Sequence, residues 1–158
     1  MSVAFRRESD DEHKEPEFEW PIPVGPNLVT PRGLRLIGEE VARLNTAIAA
    51  ETDGDARKKL QRRLRYLHTR QATADVQALP GDDVVGIGSR VRYALGGSER
   101  VVTIVGHDEA DPAAGRLAFT SPLGRALMGA GAGDMVAFQG REDAIEILGA
   151  AVDREVMA

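Results

Sequence analysis

The sequence predicts an α+β fold: an N-terminal antiparallel coiled-coil helical hairpin followed by a small antiparallel β-sheet domain with one short helix. Three observations predict it. Apolar residues recur at spacings of 3 and 4 on both sides of a single turn-forming cluster within residues 30–76. Beyond Leu79-Pro80-Gly81-Asp82-Asp83 the pattern changes from helical to alternating. Aromatic residues make up only 4% of the 158 residues, which leaves a modest, largely aliphatic core.

The first segment, residues 1–27, reads as an acidic, proline-containing leader. Seven acids lie between Glu8 and Glu19 against one lysine, and Pro21, Pro23 and Pro26 follow. Like charges repel and proline lacks a backbone donor, so an extended or disordered segment is expected. Two roles fit it: a solubilising tail, or an acidic cover for a basic surface elsewhere in the chain.

Residues 28–78 form the hairpin. Thr30-Pro31 has the form of an N-cap followed by a first-turn proline. Leu34, Ile37, Val41, Leu44 and Ile48 make one seam, and Leu60, Leu64, Leu67, Gln71 and Ala74 the other. Folding the chain back at Asp53-Gly54 sets Ile48 against Leu60, Leu44 against Leu64, Val41 against Leu67, Ile37 against Gln71 and Leu34 against Ala74. Each arm is then roughly 30 Å long.

Residues 79–158 form the sheet domain. Val91 and Tyr93 alternate with Arg90 and Arg92, Val101 to Val105 is a β-branched run ended by Gly106, and Leu117 to Thr120 form another strand. Gly96-Gly97 marks a hairpin turn. Leu123 to Met128 is a short helix between Pro122 and Gly129, and Met135 to Phe138 and Ala144 to Leu148 complete the sheet.

Composition excludes several functions. With no cysteine the chain has no disulfide scaffold, zinc ribbon or thiol nucleophile, and it suits a reducing cytoplasm. A net charge of -5 argues against coating nucleic acid by bulk positive charge. No stretch approaches the roughly 20 apolar residues of a membrane span, and no secretion signal is read. His13, His68 and His107 have no ligand partner at a metal spacing. Neither a phosphate loop, a dinucleotide turn nor a nucleophile elbow occurs, and Gly129 to Gly133 follows a helix and reads as its C-cap and loop. Turnover by the chain alone is not expected, and no stably bound cofactor is implied.

Two places carry chemistry. At the hairpin tip, Glu51, Asp53 and Asp55 can converge on a hard cation such as Mg²⁺, or serve as turn and capping residues. The second helix carries Arg57, Lys58, Lys59, Arg62, Arg63, Arg65 and Arg70 with no acid between them. Such a strip can face nucleic acid or an acidic protein channel, or be a solvated face paired with Glu39, Glu40 and Glu51.

Three stretches resemble the Gre family of bacterial transcription elongation factors. Leu28-Val29-Thr30-Pro31-Arg32-Gly33-Leu34 is similar to the family's opening L-T-P/R-E-G-Y/L. Thr103-Ile104-Val105-Gly106-His107-Asp108-Glu109-Ala110-Asp111 is similar to R-I-V-G-D-D-E-A-D. Ser121-Pro122-Leu123-Gly124-Arg125-Ala126-Leu127-Met128-Gly129, with Gly133-Asp134 beyond, is similar to S-P-L-G-R-A-L-L-G…V-G-D. The resemblance covers about residues 28–150.

It implies an FKBP-like C-terminal domain that docks at the RNA polymerase secondary channel, with the hairpin entering it. Asp108, Glu109, Ser121, Pro122, Leu123 and Arg125 would be the docking surface, although Leu123 and Leu127 also fit a core. Tip acids would help hold a Mg²⁺ shared with the polymerase during cleavage of backtracked RNA, so the chain would be at most a cofactor of the polymerase's own nuclease. Nucleic acid would be met only within the elongation complex, and a monomer is expected.

The tip departs from the family. Gly54-Asp55 matches its Gly-Asp, but Lys58 and Lys59 stand where the family has Glu and Asn, and the arms are shorter by roughly 18 Å. That shortening is similar to Rnk-type regulators, which implies channel occupancy without cleavage as an alternative. Peptidyl-prolyl isomerase activity is a second alternative from the FKBP-like resemblance, although Tyr93, Phe119 and Phe138 are its only aromatics for a pocket. Direct nucleic-acid binding by the basic helix is a third.

Overall fold

The structure is a computed structural model that describes residues 18–158. The leader expected over residues 1–27 therefore lies outside the described residues as far as position 17. From Leu28 the chain forms β1 (Leu28–Val29), α1 (Pro31–Ala50), α2 (Gly54–Thr73) and β2 (Asp75–Val76). The sheet domain follows with β3 (Ser89–Leu95), β4 (Ser98–Val105), β5 (Arg116–Ala118), α3 (Pro122–Leu127), β6 (Met135–Phe138), β7 (Arg141–Val152) and α4 (Arg154–Met157).

Both hairpin helices begin at side-chain caps. Thr30 accepts the Gly33 N–H at 2.9 Å ahead of Pro31, and Asp53 accepts the Ala56 N–H at 3.0 Å. Each satisfies one of the donors that a helix start leaves unpaired. Ile37, Leu44, Tyr66 and Leu67 are buried between the arms, with Val41, Leu60 and Leu64 packed against them. The predicted seam holds over most of its length and fails near the base, where Gln71 is exposed. There α2 packs on the sheet domain as well as on α1. Its buried positions therefore move to the flank bearing Tyr66 and Arg70.

A two-stranded parallel ladder closes the base, pairing Leu28 with Asp75 and Val29 with Val76. Strands of two residues carry no periodicity, so neither is visible in the sequence.

The larger sheet has the order β5-β4-β3-β7-β6. Alternation in β3 buries Ser89, Val91 and Tyr93 and exposes Arg90 and Arg92, as the sequence pattern requires. Val85, Ile87, Val91, Tyr93, Ile104, Leu127, Ile145 and Ile147 form the core. Gly96 and Gly97, at φ 58° and 79°, make the tight β3–β4 turn that only residues tolerant of positive φ build readily.

The antiparallel sheet expected from the sequence is in fact mixed, because β5 runs parallel to β4. The chain leaves β4 at Gly106, crosses two 3-10 turns, His107–Glu109 and Pro112–Ala114, and returns in the same direction. A two-residue hairpin would have forced antiparallel pairing; this longer crossover does not. The last strand also exceeds the predicted Ala144–Leu148, because β7 begins directly after the Gln139-Gly140 turn.

Candidate functional site

The 3-10 turn after Gly106 directs two acids into the base of the hairpin. Asp108 accepts from Arg70 Nε at 2.7 Å and from the Tyr66 hydroxyl. Arg70 Nη2 also donates to Asn27 Oδ1 at 2.7 Å, and Asn27 Nδ2 returns a bond to the Arg70 carbonyl at 2.8 Å. Beside it, Glu109 accepts from the Thr30 hydroxyl and from Arg32 Nη1, the latter at 2.9 Å. Among the described residues no buried side-chain nitrogen or oxygen lacks a hydrogen-bond partner.

This placement corrects the docking surface read from the sequence. The Glu109 side chain is 1% exposed and that of Asp108 is 9% exposed, so both are committed to the internal junction and present little to a partner. Burial, reinforced by the hydrogen bond to Asp108, pushes the Tyr66 hydroxyl up from its ordinary value to about 12. The turn can pack this closely because Gly106 has no side chain: a Cβ there would lie 2.4 Å from the Leu28 carbonyl oxygen.

The other sequence-predicted docking residues sit on α3. Ser121 is its N-cap, accepting from Gly124 N–H at 3.0 Å and donating to the Ala118 carbonyl at 2.7 Å. Leu123 is half-buried against the core and Leu127 is fully within it. Pro122 and Arg125 are exposed. Of this group, only those two offer a partner substantial free surface.

At the tip, Asp53 spends one carboxylate oxygen on its cap, and Glu51 accepts the Asp53 N–H at 3.0 Å. Asp55 lies in the first turn of α2, where a negative charge suits the helix dipole. Among the described residues no three His, Asp or Glu side chains gather as a metal site.

The basic helix divides. Arg70 is buried at the junction, and Arg57 donates to the Glu51 carbonyl across the tip. Lys58 and Lys59 are exposed, and Arg62 and Arg63 half-buried. Glu40, a candidate partner for this face, instead pairs with Arg43 of its own helix at 2.5 Å. What covers part of α2 is the leader: Glu19 binds Arg65 at 2.6 and 3.2 Å, and the Arg63 guanidinium lies 4.4 Å from the Trp20 ring centre. Trp20 and Tyr66 rings are 5.6 Å apart, tilted by 40°. The Arg65 hydrogen bond holds the Glu19 carboxyl below its ordinary value.

Sequence reading singled out neither Trp20 nor Asn27. The available signal was a lone tryptophan inside an acidic, proline-rich segment, where solubility alone would not select it.

Residues 80–151, which make up most of the sheet domain, match the family described as Transcription elongation factor, GreA/GreB, C-term. Transcription elongation factor GreA of Desulfovibrio desulfuricans is 31% identical over 135 residues, covering 70% of this chain and 83% of that protein. The chain belongs to the GreA/GreB family. It is a Gre-type transcription elongation factor. GreB of Neisseria meningitidis is 39% identical over 98 residues, covering 58% of this chain and 60% of its own length. Among solved structures, the GreA factor homolog Gfh1 of Thermus thermophilus aligns over 80% of this chain and 99% of its own, at 16% identity and a TM-score of 0.39, too low to bear on the arrangement of the parts.

For this Gre-type factor the shared sheet-domain motifs now have physical roles. Gly106, Asp108 and Glu109 build the junction with the hairpin, and Ser121 and Gly124 build the start of α3, where a Cβ on Gly124 would lie 2.1 Å from the Ala118 carbonyl oxygen. Among the described residues no helix is long and apolar enough to cross a membrane.

Proposed function

We propose that this Gre-type factor acts by binding RNA polymerase, with the sheet domain on the rim of the secondary channel and the hairpin pointing into it. The observation that carries the proposal is the pair of acid clasps at Asp108 and Glu109, which fix the hairpin base to the sheet domain through side chains that are almost wholly buried. A hairpin held in this way can project its tip from a docked domain without a hinge. Pro122 and Arg125 are the exposed part of the proposed docking surface.

The chain carries no reaction of its own in this reading. Any cleavage of backtracked RNA belongs to the polymerase and its metal, with Asp53 and Asp55 as the acids brought toward it. Binding to the cytoplasmic polymerase would also set where the factor works.

Charge reversal at Arg125 tests the docking surface. The Arg125→Glu protein should fold normally and bind core RNA polymerase at least about tenfold more weakly, the scale of a lost interface cation. Unchanged affinity in a normally folded variant would remove α3 from the interface. For the tip, Asp53→Asn with Asp55→Asn keeps a capping side chain while removing both charges. Loss of stimulated transcript cleavage with binding retained supports the acid role. If the native chain stimulates no cleavage while it binds, channel occupancy is its mode of action.

A further inference from the structure

The leader does more than precede the hairpin. Asn27 is fastened to Arg70 near the base of α2, and seven residues earlier Trp20 lies against Tyr66 and Arg63. These three α2 positions share one flank, since residues 63, 66 and 70 recur at helical spacing. The leader therefore runs along that flank from the middle of the helix to its base. Glu19 meanwhile neutralises Arg65.

We propose that Glu19 and Trp20 form a self-occluding strap over the cationic face of α2, which a single-stranded nucleic acid must displace to reach Arg63 and Arg65. The inference rests on reading that face as a surface for a polyanion and is independent of where the sheet domain docks. Three observations favour occlusion over simple packing. The strap contacts two cations by two chemistries, a paired carboxylate on Arg65 and a ring face on Arg63. A phosphate and a stacked base would use the same two groups in the same way. Finally, the sequence ahead of Glu19 adds Glu8, Asp10, Asp11, Glu12, Glu15 and Glu17, so the segment that supplies the strap has the charge sign that a cationic face attracts.

Trp20 is the sole tryptophan, so its fluorescence reports the strap directly. The experiment titrates a labelled oligouridylate at low salt into the full chain and into Trp20→Ala, a charge-neutral change at a half-exposed residue outside the core. Glu19→Gln is compared with Glu146→Gln, an equal change of charge on the sheet domain. Trp20→Ala should bind the oligonucleotide about fivefold more tightly, the scale of one exposed cation–π contact. Glu19→Gln should gain more affinity than Glu146→Gln, and oligonucleotide binding to the full chain should make Trp20 more accessible to acrylamide. Equal or weaker binding by Trp20→Ala would overturn the proposal. So would a Trp20 that stays equally shielded in the complex, or a failure of both proteins to bind. None of these readouts involves the polymerase, so they fail separately from the docking proposal.

Discussion

Arg70 and Asp108, 38 residues apart in sequence, meet at 2.7 Å across the junction between hairpin and sheet domain, with side chains 4% and 9% exposed. Their bond, with Tyr66 and Asn27 around it, ties α2 to the turn after β4, beside the place where Leu28 packs on the sheet-domain core. In a buried pair desolvation offsets much of the attraction, whereas losing one partner leaves an uncompensated buried charge.

Removing one partner should therefore be costly. Asp108→Ala leaves the Arg70 guanidinium buried without its carboxylate and should lower stability by about 3 kcal/mol in urea unfolding. The double variant with Arg70→Ala should lose clearly less than the sum of the two single changes, since both break one interaction. Additive losses would mean that the two side chains act independently.

The Tyr66 hydroxyl gives the junction a pH signature. Its folded value of about 12 lies above the ordinary 10.0, so the neutral phenol is the form that folding favours. The resulting stability is fully present below pH 10 and is lost as pH rises toward about 12. Absorbance titration should show a tyrosine step at about 12, and Tyr66→Phe should remove that step. A step at about 12 that survives in Tyr66→Phe would contradict this account of the junction.

Gly106 tests the close approach of the two parts. An added methyl group would meet the Leu28 carbonyl oxygen, a backbone atom that cannot swing aside, so Gly106→Ala should destabilise by about 1–3 kcal/mol. Its φ of -74° is open to any residue, so the cost is one of space alone. A variant as stable as the native chain would show that β1 can yield.

The tip distinguishes capping from charge. Asp53→Ala should cost about 1 kcal/mol in thermal stability through the lost bond to the Ala56 N–H, while Asp53→Asn should cost much less. Equal losses would assign the stability to the carboxylate's charge instead.

The hairpin was legible because its physics is local: seam spacing, a Thr-Pro start and an Asp-Gly turn all act within a few residues. Position 71 was misread because a heptad rule assumes that the facing helix is the only partner, whereas near the base α2 also meets the sheet domain. Arg70 looked like one more surface cation for the same reason; only tertiary structure brings Asp108 beside it. Parallel pairing of β5 depends on how two 3-10 turns cross over, and strand propensity is silent on that. Asp108 and Glu109 stand out in the sequence through a motif and read there as docking residues, but a motif does not distinguish an acid that faces a partner from one that holds the chain's own parts together.

The most direct test is the affinity of the labelled protein for core RNA polymerase, with unlabelled GreA as competitor. Saturable binding that GreA displaces in full is the expected result, because both would occupy the secondary channel. Binding that GreA leaves untouched, or no binding at all, would contradict it.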